Sequence, residues 1–362
     1  MFIINDTVYA GTGRDSISAS TIMTKDFYKY NPGTNSWSKI ADMPGERWMS
    51  TSFSIGGKGY IALGQGNPFA LTELVEYDPT TNTWTQKSPL PAAPRWAAFS
   101  FVINNKAYVG GGYLSSDFGD FWEYDPATDI WTPKANFPNP RHGAIAFAIN
   151  NKGYMGLGRG GNIFYDDFME YDPTLDTWTN KTNFPDSARY IGTGFSVNNK
   201  GYAGLGSIVN AFGSYSQADF WEYDPISNTW TSIPNIPGVP RTACVAASNN
   251  NTAFILGGLT MSMTYLNDFY SFPFYNPTGI SESNSKEKCS LFASHKTVFV
   301  NNQTPDPMVI TLYDIIGKKI LSYTFESGHH SIDLTAMPDC IIIYQIENKK
   351  ENLARGKLSL TN

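Results

Sequence analysis

The sequence predicts an all-β protein: a six-bladed β-propeller of four-stranded blades, then a small Ig-like β-sandwich. Three observations carry this expectation. A tryptophan recurs at Trp37, Trp84, Trp131, Trp178 and Trp230, with spacings of 47, 47, 47 and 52 residues, each seven residues after a tyrosine. An arginine recurs at Arg47, Arg95, Arg141, Arg189 and Arg241, thirteen residues before an aromatic (Tyr60, Tyr108, Tyr154, Tyr202, Phe254). Four residues beyond that aromatic stands a glycine: Gly64, Gly112, Gly158, Gly206 and Gly258, with Gly13 opening the series after Tyr9. A 40–50-residue period written in aromatics, glycines and turn residues is the mark of stacked blades, because one blade cannot bury its own aromatic layer.

Each repeat resolves into four strands. Strand a follows the arginine and ends at a dipeptide suited to a two-residue hairpin (Gly56-Gly57, Asn104-Asn105, Asn150-Asn151, Asn198-Asn199, Asn250-Asn251), where positive φ is tolerated. Strand b runs to the glycine, which suits a crowded strand end. Strand c alternates apolar and polar residues, as in Asp120-Phe-Trp-Glu-Tyr-Asp-Pro126, and stops at an Asx-Pro turn. Strand d carries the tryptophan. This combination resembles the kelch repeat over residues 1–276. The double glycine usual for that family after strand b is present at Gly111-Gly112 and Gly257-Gly258 only.

Strands b and c occur six times, strands a and d five times in full. The chain opens inside a strand a, and the sixth repeat lacks its Trp strand. The expectation is a start lost upstream whose strand d would close the ring; the alternative is closure by residues 273–277.

Residues 277–290 read as a polar linker, and residues 291–362 as a second domain of short alternating strands. Ile310-Thr-Leu-Tyr-Asp-Ile-Ile-Gly-Lys-Lys-Ile320, Ser331-Ile-Asp-Leu334 and Met337-Pro338 resemble the C-terminal sorting domain of the type IX secretion system of Bacteroidota. Phe292-Ala-Ser-His295 and Cys340-Ile-Ile342 depart from that family's pattern, and a generic Ig-like stalk is the alternative. The resemblance implies a secreted or outer-membrane surface-anchored protein that engages secretion machinery through residues 291–362.

With 15% aromatic residues among 362, the chain can bury a sizeable core. A net charge of −6 argues against nucleic acid or an anionic membrane as partner, and no apolar run is long enough for a transmembrane helix. Cys244, Cys289 and Cys340 are too few and too scattered for a disulfide framework.

The repeat arginines have acidic counterparts four residues before the strand c aromatic: Asp26, Glu73, Asp120, Asp167, Asp219 and Asp268. Both sets belong at one end of the propeller, where structural ion pairs are expected. Binding candidates are departures from the repeat. The b-to-c interval varies (21, 17, 16, 17, 21 and 18 residues), so the b–c loops are the variable parts. They carry Arg14, Phe69, Tyr113, Phe118, Arg159, Phe164, Tyr165, Phe212, Tyr215 and Tyr265, while the residue after each repeat arginine changes through Trp48, Trp96, His142, Tyr190 and Thr242. Aromatics with arginines suit a glycan or an extended peptide, so a binding scaffold without catalysis, cofactor or metal is expected. A carbohydrate-active enzyme, resembling kelch-type sialic acid epimerases, is the alternative. Galactose oxidase-like copper chemistry is not expected, since the propeller has a single histidine, His142.

Overall fold

In the computed structural model, described residues are 1–17, 20–210, 213–233, 235, 238–249, 252–273, 289–294, 297–302, 304–314, 318–334, 337, 340–348 and 352–360. They contain strands and no helix, and fall into two units, Met1–Ser271 and Phe272–Asn362.

The first unit is a series of antiparallel sheets, each with its strands in chain order a-b-c-d. Sheet 1 holds Phe2–Ile4, Thr7–Ile17, Ser20–Asn31 and Ser36–Lys39. Sheet 2 holds Thr51–Ile55, Lys58–Ala62, Leu74–Asp78 and Thr83–Lys87; sheet 3 holds Phe99–Ile103, Lys106–Gly110, Phe121–Asp125 and Ile130–Lys134. Sheet 4 holds Ile145–Ile149, Lys152–Gly156, Phe168–Asp172 and Thr177–Asn180; sheet 5 holds Thr193–Val197, Lys200–Gly204, Phe220–Asp224 and Thr229–Ile233. Sheet 6 has three strands, Val245–Ser248, Thr252–Leu259 and Tyr265–Pro273. Each strand a touches the strand a of the next sheet, and that of sheet 6 touches that of sheet 1. Neighbours in sequence are therefore neighbours in space around a common axis, the propeller arrangement.

The turn chemistry is as the dipeptides require. Gly56 and Gly57, Asn104 and Asn105, Asn150 and Asn151, and Asn198 and Asn199 all have positive φ, which glycine and asparagine adopt at least cost. Asn250-Asn251 lies outside the described residues.

Three contacts recur between sheets. The strand d tryptophan donates its indole N–H to the preceding sheet: Trp84 to the Ala41 carbonyl, Trp131 to Ser88, Trp178 to Ala135 and Trp230 to Thr182, at 2.9–3.0 Å. Two residues before each tryptophan an Asx side chain accepts from the same preceding segment, as Asn82 does from Ala41 N–H (3.0 Å) and Asp176 from Ala135 N–H (3.0 Å). That Asx also accepts from the buried strand c tyrosine, Tyr77 to Asn82 and Tyr171 to Asp176. The third contact is apolar: Phe101 of sheet 3 lies where a Cβ on Gly153 of sheet 4 would stand, 2.1 Å away, so only glycine fits there. Sheets 1 and 6 meet through Phe269, 4.7 Å from Tyr30 and 5.0 Å from Trp37, and through an Asn249–Asp6 hydrogen bond.

The second unit contains Cys289–Ser294, Thr297–Asn302, Met308–Tyr313, Lys319–Phe325, Gly328–Asp333, Cys340–Glu347 and Asn352–Leu360. These form a three-stranded and a four-stranded sheet. Val298, Val300 and Ile332 from one sheet and Met308, Ile310, Leu312, Phe325, Ile342 and Ile346 from the other share one core, a sandwich. Residues 277–288 of the expected linker, together with Gly317 and Pro338 of the sorting-domain pattern, lie outside the described residues.

Candidate functional site

The strands fix which end of the propeller is which. Strand a starts, strand b ends and strand c starts at one end, so the repeat arginines, the glycines and the b–c loops gather there. The a–b and c–d turns lie at the other end, where lysines pair with strand c-end aspartates: Lys58 with Asp78, Lys106 with Asp125, Lys152 with Asp172 and Lys200 with Asp224.

The five repeat arginines are at most 1% exposed. Arg95 holds Asp120 through both terminal nitrogens (2.5 and 2.9 Å), and Arg241 holds Asp268 likewise (2.5 and 2.8 Å). Arg141 grips Asp167 in the same way, and Arg189 divides its donors between Asp219 and Asp186, 2.6 Å each. Arg47 reaches Glu73 through one nitrogen only (2.7 Å), and its Nε has no partner. Each guanidinium also donates to the carbonyl before the glycines, such as Arg141 to Leu157 (3.0 Å). The arginine's own carbonyl accepts from the preceding sheet's glycine N–H: Gly13 to Arg47, Gly64 to Arg95, Gly112 to Arg141, Gly158 to Arg189 and Gly206 to Arg241. Burial, a carboxylate partner and a carbonyl partner in every repeat make these residues the frame of the site.

Aromatic rings close this frame from the loop side. Phe118 lies under Arg95 and Tyr165 under Arg141, both at 4.0 Å. Phe184 does so for Arg189 (4.9 Å) and Tyr270 for Arg241 (5.4 Å). Phe118 and Tyr165, read in sequence as binding candidates, thus stack on structural arginines.

The next residue in each repeat faces the mouth. The residue after the arginine pairs with the residue after the glycine: Trp48 with Gln65, Trp96 with Tyr113, His142 with Arg159, Tyr190 with Ser207 and Thr242 with Leu259. From these positions a continuous row forms. Trp48 stacks with Trp96 (6.3 Å, 16°), Trp96 meets Tyr113 (5.2 Å) and His142 (5.6 Å), and His142 meets Tyr113 (5.2 Å) and Tyr190 (6.1 Å). Phe164 extends the row from Tyr190 (5.4 Å). Arg14 covers Trp48 (4.1 Å), and Arg159 covers Phe164 (5.3 Å). Trp48, Trp96, Tyr113 and Tyr190 are half-buried, leaving part of each ring to solvent.

Inside the row is a polar group that sequence reading did not find. Asp117 Oδ1 lies 2.5 Å from His142 Nδ1, and its Oδ2 accepts from Gly161 N–H at 2.7 Å. Its side chain is 10% exposed and that of His142 is 9%. The carboxylate fixes the imidazole's plane and leaves Nε2 without a protein partner among the described residues. The only advance signal was a carboxylate, Asp117, away from the repeat's acidic position.

Other sequence candidates stand apart from the row. Phe69 is 76% exposed and Tyr215 43% exposed on their loops, and Tyr265 begins the last strand of sheet 6. Phe212 lies outside the described residues. The b–c loops of sheets 4 and 5 carry small hairpins, Arg159–Gly160 with Ile163–Phe164 and Ser207–Asn210 with Gly213–Ser216. No cluster of His, Cys, Asp and Glu able to hold a metal occurs among the described residues.

No family model matches the chain. A stretch of 96 residues is 34% identical to an F-box/kelch-repeat protein of Arabidopsis thaliana, 26% of each chain, so this protein spans about a quarter of that relative's length. The solved structure of YjhT matches with a TM-score of 0.63 at 21% identity, covering 74% of this chain and 92% of that one. The sheets and the likeness to that solved structure make the first unit a β-propeller, similar over 96 residues to a kelch-repeat protein.

Proposed function

We propose that the propeller is a recognition scaffold that binds an extended ligand, glycan or peptide, across the mouth where the b–c loops gather. The observation that carries this is the row Trp48–Trp96–His142–Tyr190, one residue from each of four successive sheets at a position the frame leaves free. Partly exposed ring faces in a line offer stacking surface to a ligand longer than one residue. The test is a screen of the full chain against immobilised oligosaccharides and peptides. A ligand whose binding is lost in Trp96→Ala and Tyr190→Ala, with the protein still folded, is the expected result. Hits indifferent to both substitutions, or no hits, would sink the proposal.

A second reading has one observation in its favour. A histidine oriented by a carboxylate, its Nε2 free and tyrosines beside it, is also an acid–base arrangement. Turnover of a bound saccharide that disappears in Asp117→Asn while affinity persists would favour this enzyme reading.

For the second unit we propose the export role implied by its resemblance to sorting domains, which a seven-stranded sandwich accommodates. A reporter fused to residues 277–362 should reach the surface or medium of a host with that secretion system; retention inside would remove the idea.

A further inference from the structure

The first unit contains seven arginines, five of them the repeat arginines. The other two, Arg14 and Arg159, occupy one repeat position, the residue after Gly13 and after Gly158. They belong to sheets 1 and 4, three sheets apart in either direction round the ring, and so stand on opposite sides of the mouth. Each guanidinium lies over a ring, Arg14 over Trp48 (4.1 Å) and Arg159 over Phe164 (5.3 Å), and among the described residues only the Nε of Arg159 is used, donating to the Gly161 carbonyl at 2.8 Å. Neither has a carboxylate partner among the described residues. Asp117, beside Arg159 in the row, is already engaged through both oxygens.

A guanidinium stacked on a ring keeps its outer N–H edge free, and that edge matches a carboxylate in bidentate geometry. Two such guanidinium groups stand on opposite sides of the mouth, with the aromatic row between them. We propose that the ligand is an acidic oligosaccharide, with sugar faces on Trp48, Trp96 and Tyr190 and a carboxylate at each of Arg14 and Arg159. This rests on the mouth being the ligand site.

A peptide is the lesser fit for a physical reason. Peptides commonly bind by adding backbone hydrogen bonds to an unpaired strand edge. Here the backbone at the mouth is already paired: Trp48 with Gln65, Trp96 with Tyr113, His142 with Arg159 and Tyr190 with Ser207. Beyond them Ala97 N–H bonds the Met49 carbonyl, Gly143 the Ala97 carbonyl, Ile191 the Gly143 carbonyl and Ala243 the Ile191 carbonyl. What is left to offer is ring faces, two guanidinium edges and the imidazole Nε2, which suit sugar rings, carboxylates and hydroxyls.

The test titrates the full chain with oligogalacturonates of graded length, with their carboxyl-reduced counterparts and with oligoglutamate, following tryptophan fluorescence. The acidic sugar is expected to bind about tenfold more tightly than its reduced form at low salt. That advantage should shrink in 0.5 M salt, where the Debye length is about 4 Å against about 10 Å at 0.1 M. Arg14→Gln and Arg159→Gln should each remove part of it and the double variant all of it, with the urea midpoint unchanged. Equal affinity for acidic and reduced sugars would overturn the acidic assignment while leaving the mouth a binding site. A preference that survives the double substitution would overturn the role of the two arginines. Oligoglutamate binding as well as the sugar would overturn the saccharide assignment, and no sugar binding at all would overturn both. The salt and carboxyl-reduction arms need no variant, so the inference is tested even if a substitution impairs folding.

Discussion

Asp167→Asn should destabilise the propeller far more than its position at a surface-proximal strand end implies. Arg141 is fully buried, and among the described residues Asp167 supplies the only carboxylate it bonds, through both oxygens. Its other partners are the Leu157 and Asn139 carbonyls at 3.0 Å, the Pro138 carbonyl at 3.5 Å and the face of Tyr165. The asparagine keeps the shape and removes the charge, leaving a buried cation with partial neutralisation. Breaking a buried pair in this way costs about 3–5 kcal/mol, and the 23% exposure of the Asp167 side chain, which admits water, places the value near the lower end. With a urea m-value of about 3 kcal/mol/M, the midpoint should fall by about 1 M. All nine tryptophans precede residue 231, so fluorescence reports on the propeller alone in the full chain. Two controls set the scale. Glu73→Gln should shift the midpoint less than half as far, because Glu73 is 45% exposed and meets Arg47 through one oxygen. Lys200→Ala, which removes a partly exposed pair with Asp224, should cost no more than about 1 kcal/mol. An Asp167→Asn midpoint no different from Lys200→Ala would refute the reasoning, since the buried guanidinium would then not depend on its carboxylate.

Two further outcomes follow from burial. Cys244 is buried and its thiol is pushed up to about 12 by desolvation, so it should resist alkylation at pH 8 in the folded chain and react in urea; rapid native labelling of the Cys244 peptide would contradict this. Stability should have an acid and an alkaline limit. Asp120, Asp129, Asp176 and Asp268 are held below the ordinary carboxylate range by hydrogen bonds and arginine or lysine charge acting against desolvation, so their contribution is present above about pH 4 and is lost as pH falls below it. Burial raises the Tyr77 phenol to about 12, and those of Tyr60, Tyr108, Tyr154 and Tyr171 higher still. The unfolded chain loses those protons from about pH 10, so stability should decline from there upward, with phenolate absorbance appearing together with unfolding. Exposed tyrosines such as Tyr215 and Tyr323 ionise without unfolding, so the contradicting result is ionisation of the whole set of 21 tyrosines in a protein with native fluorescence.

What the sequence made legible was whatever the repeat enforces. Tyr171 and Trp178 had to return because each sheet must cover its neighbour's rings, and the Arg141–Asp167 pairing could be anticipated because an arginine before strand a and an acid at the start of strand c recur at one end of every full repeat, although 25 to 30 residues separate them. Asn82, Asp129, Asp176 and Asn228 were equally periodic, yet their role between sheets was not visible. It depends on the strand d end of the preceding sheet, about 41 residues upstream in the case of Asn82 and Ala41. The site was harder still. Tyr113 and Phe118 share one loop, but Tyr113 joins the mouth while Phe118 lies under Arg95. Nothing in their spacing separates the two, because the loop's return path is set by the Tyr113–Asp117 bridge. Asp117 meets His142 only because the next sheet brings it there.

The frame also explains why this end of the propeller could diverge. At the arginine and glycine positions, side chains and backbone are both committed, one to the ion pair and the other to the link between sheets. At the following residue the backbone is committed in five sheets, paired with the residue after the same sheet's glycine whatever the side chain is, and the side chain varies: His142 bonds Asp117 and Thr242 the Ile191 carbonyl, while Trp48, Trp96 and Tyr190 offer ring surface. Tryptophan, histidine, tyrosine and threonine therefore occupy one position, and glutamine, tyrosine, arginine, serine and leucine its partner, with the backbone pairing unchanged. A substitution such as Tyr190→Ala removes stacking surface while leaving the Tyr190–Ser207 bonds (3.0 and 2.9 Å) in place. If the mouth is the ligand site proposed above, recognition and stability rest on adjacent residues with separable physics, and the mouth variants should alter binding in a fold that the Asp167 variant would weaken.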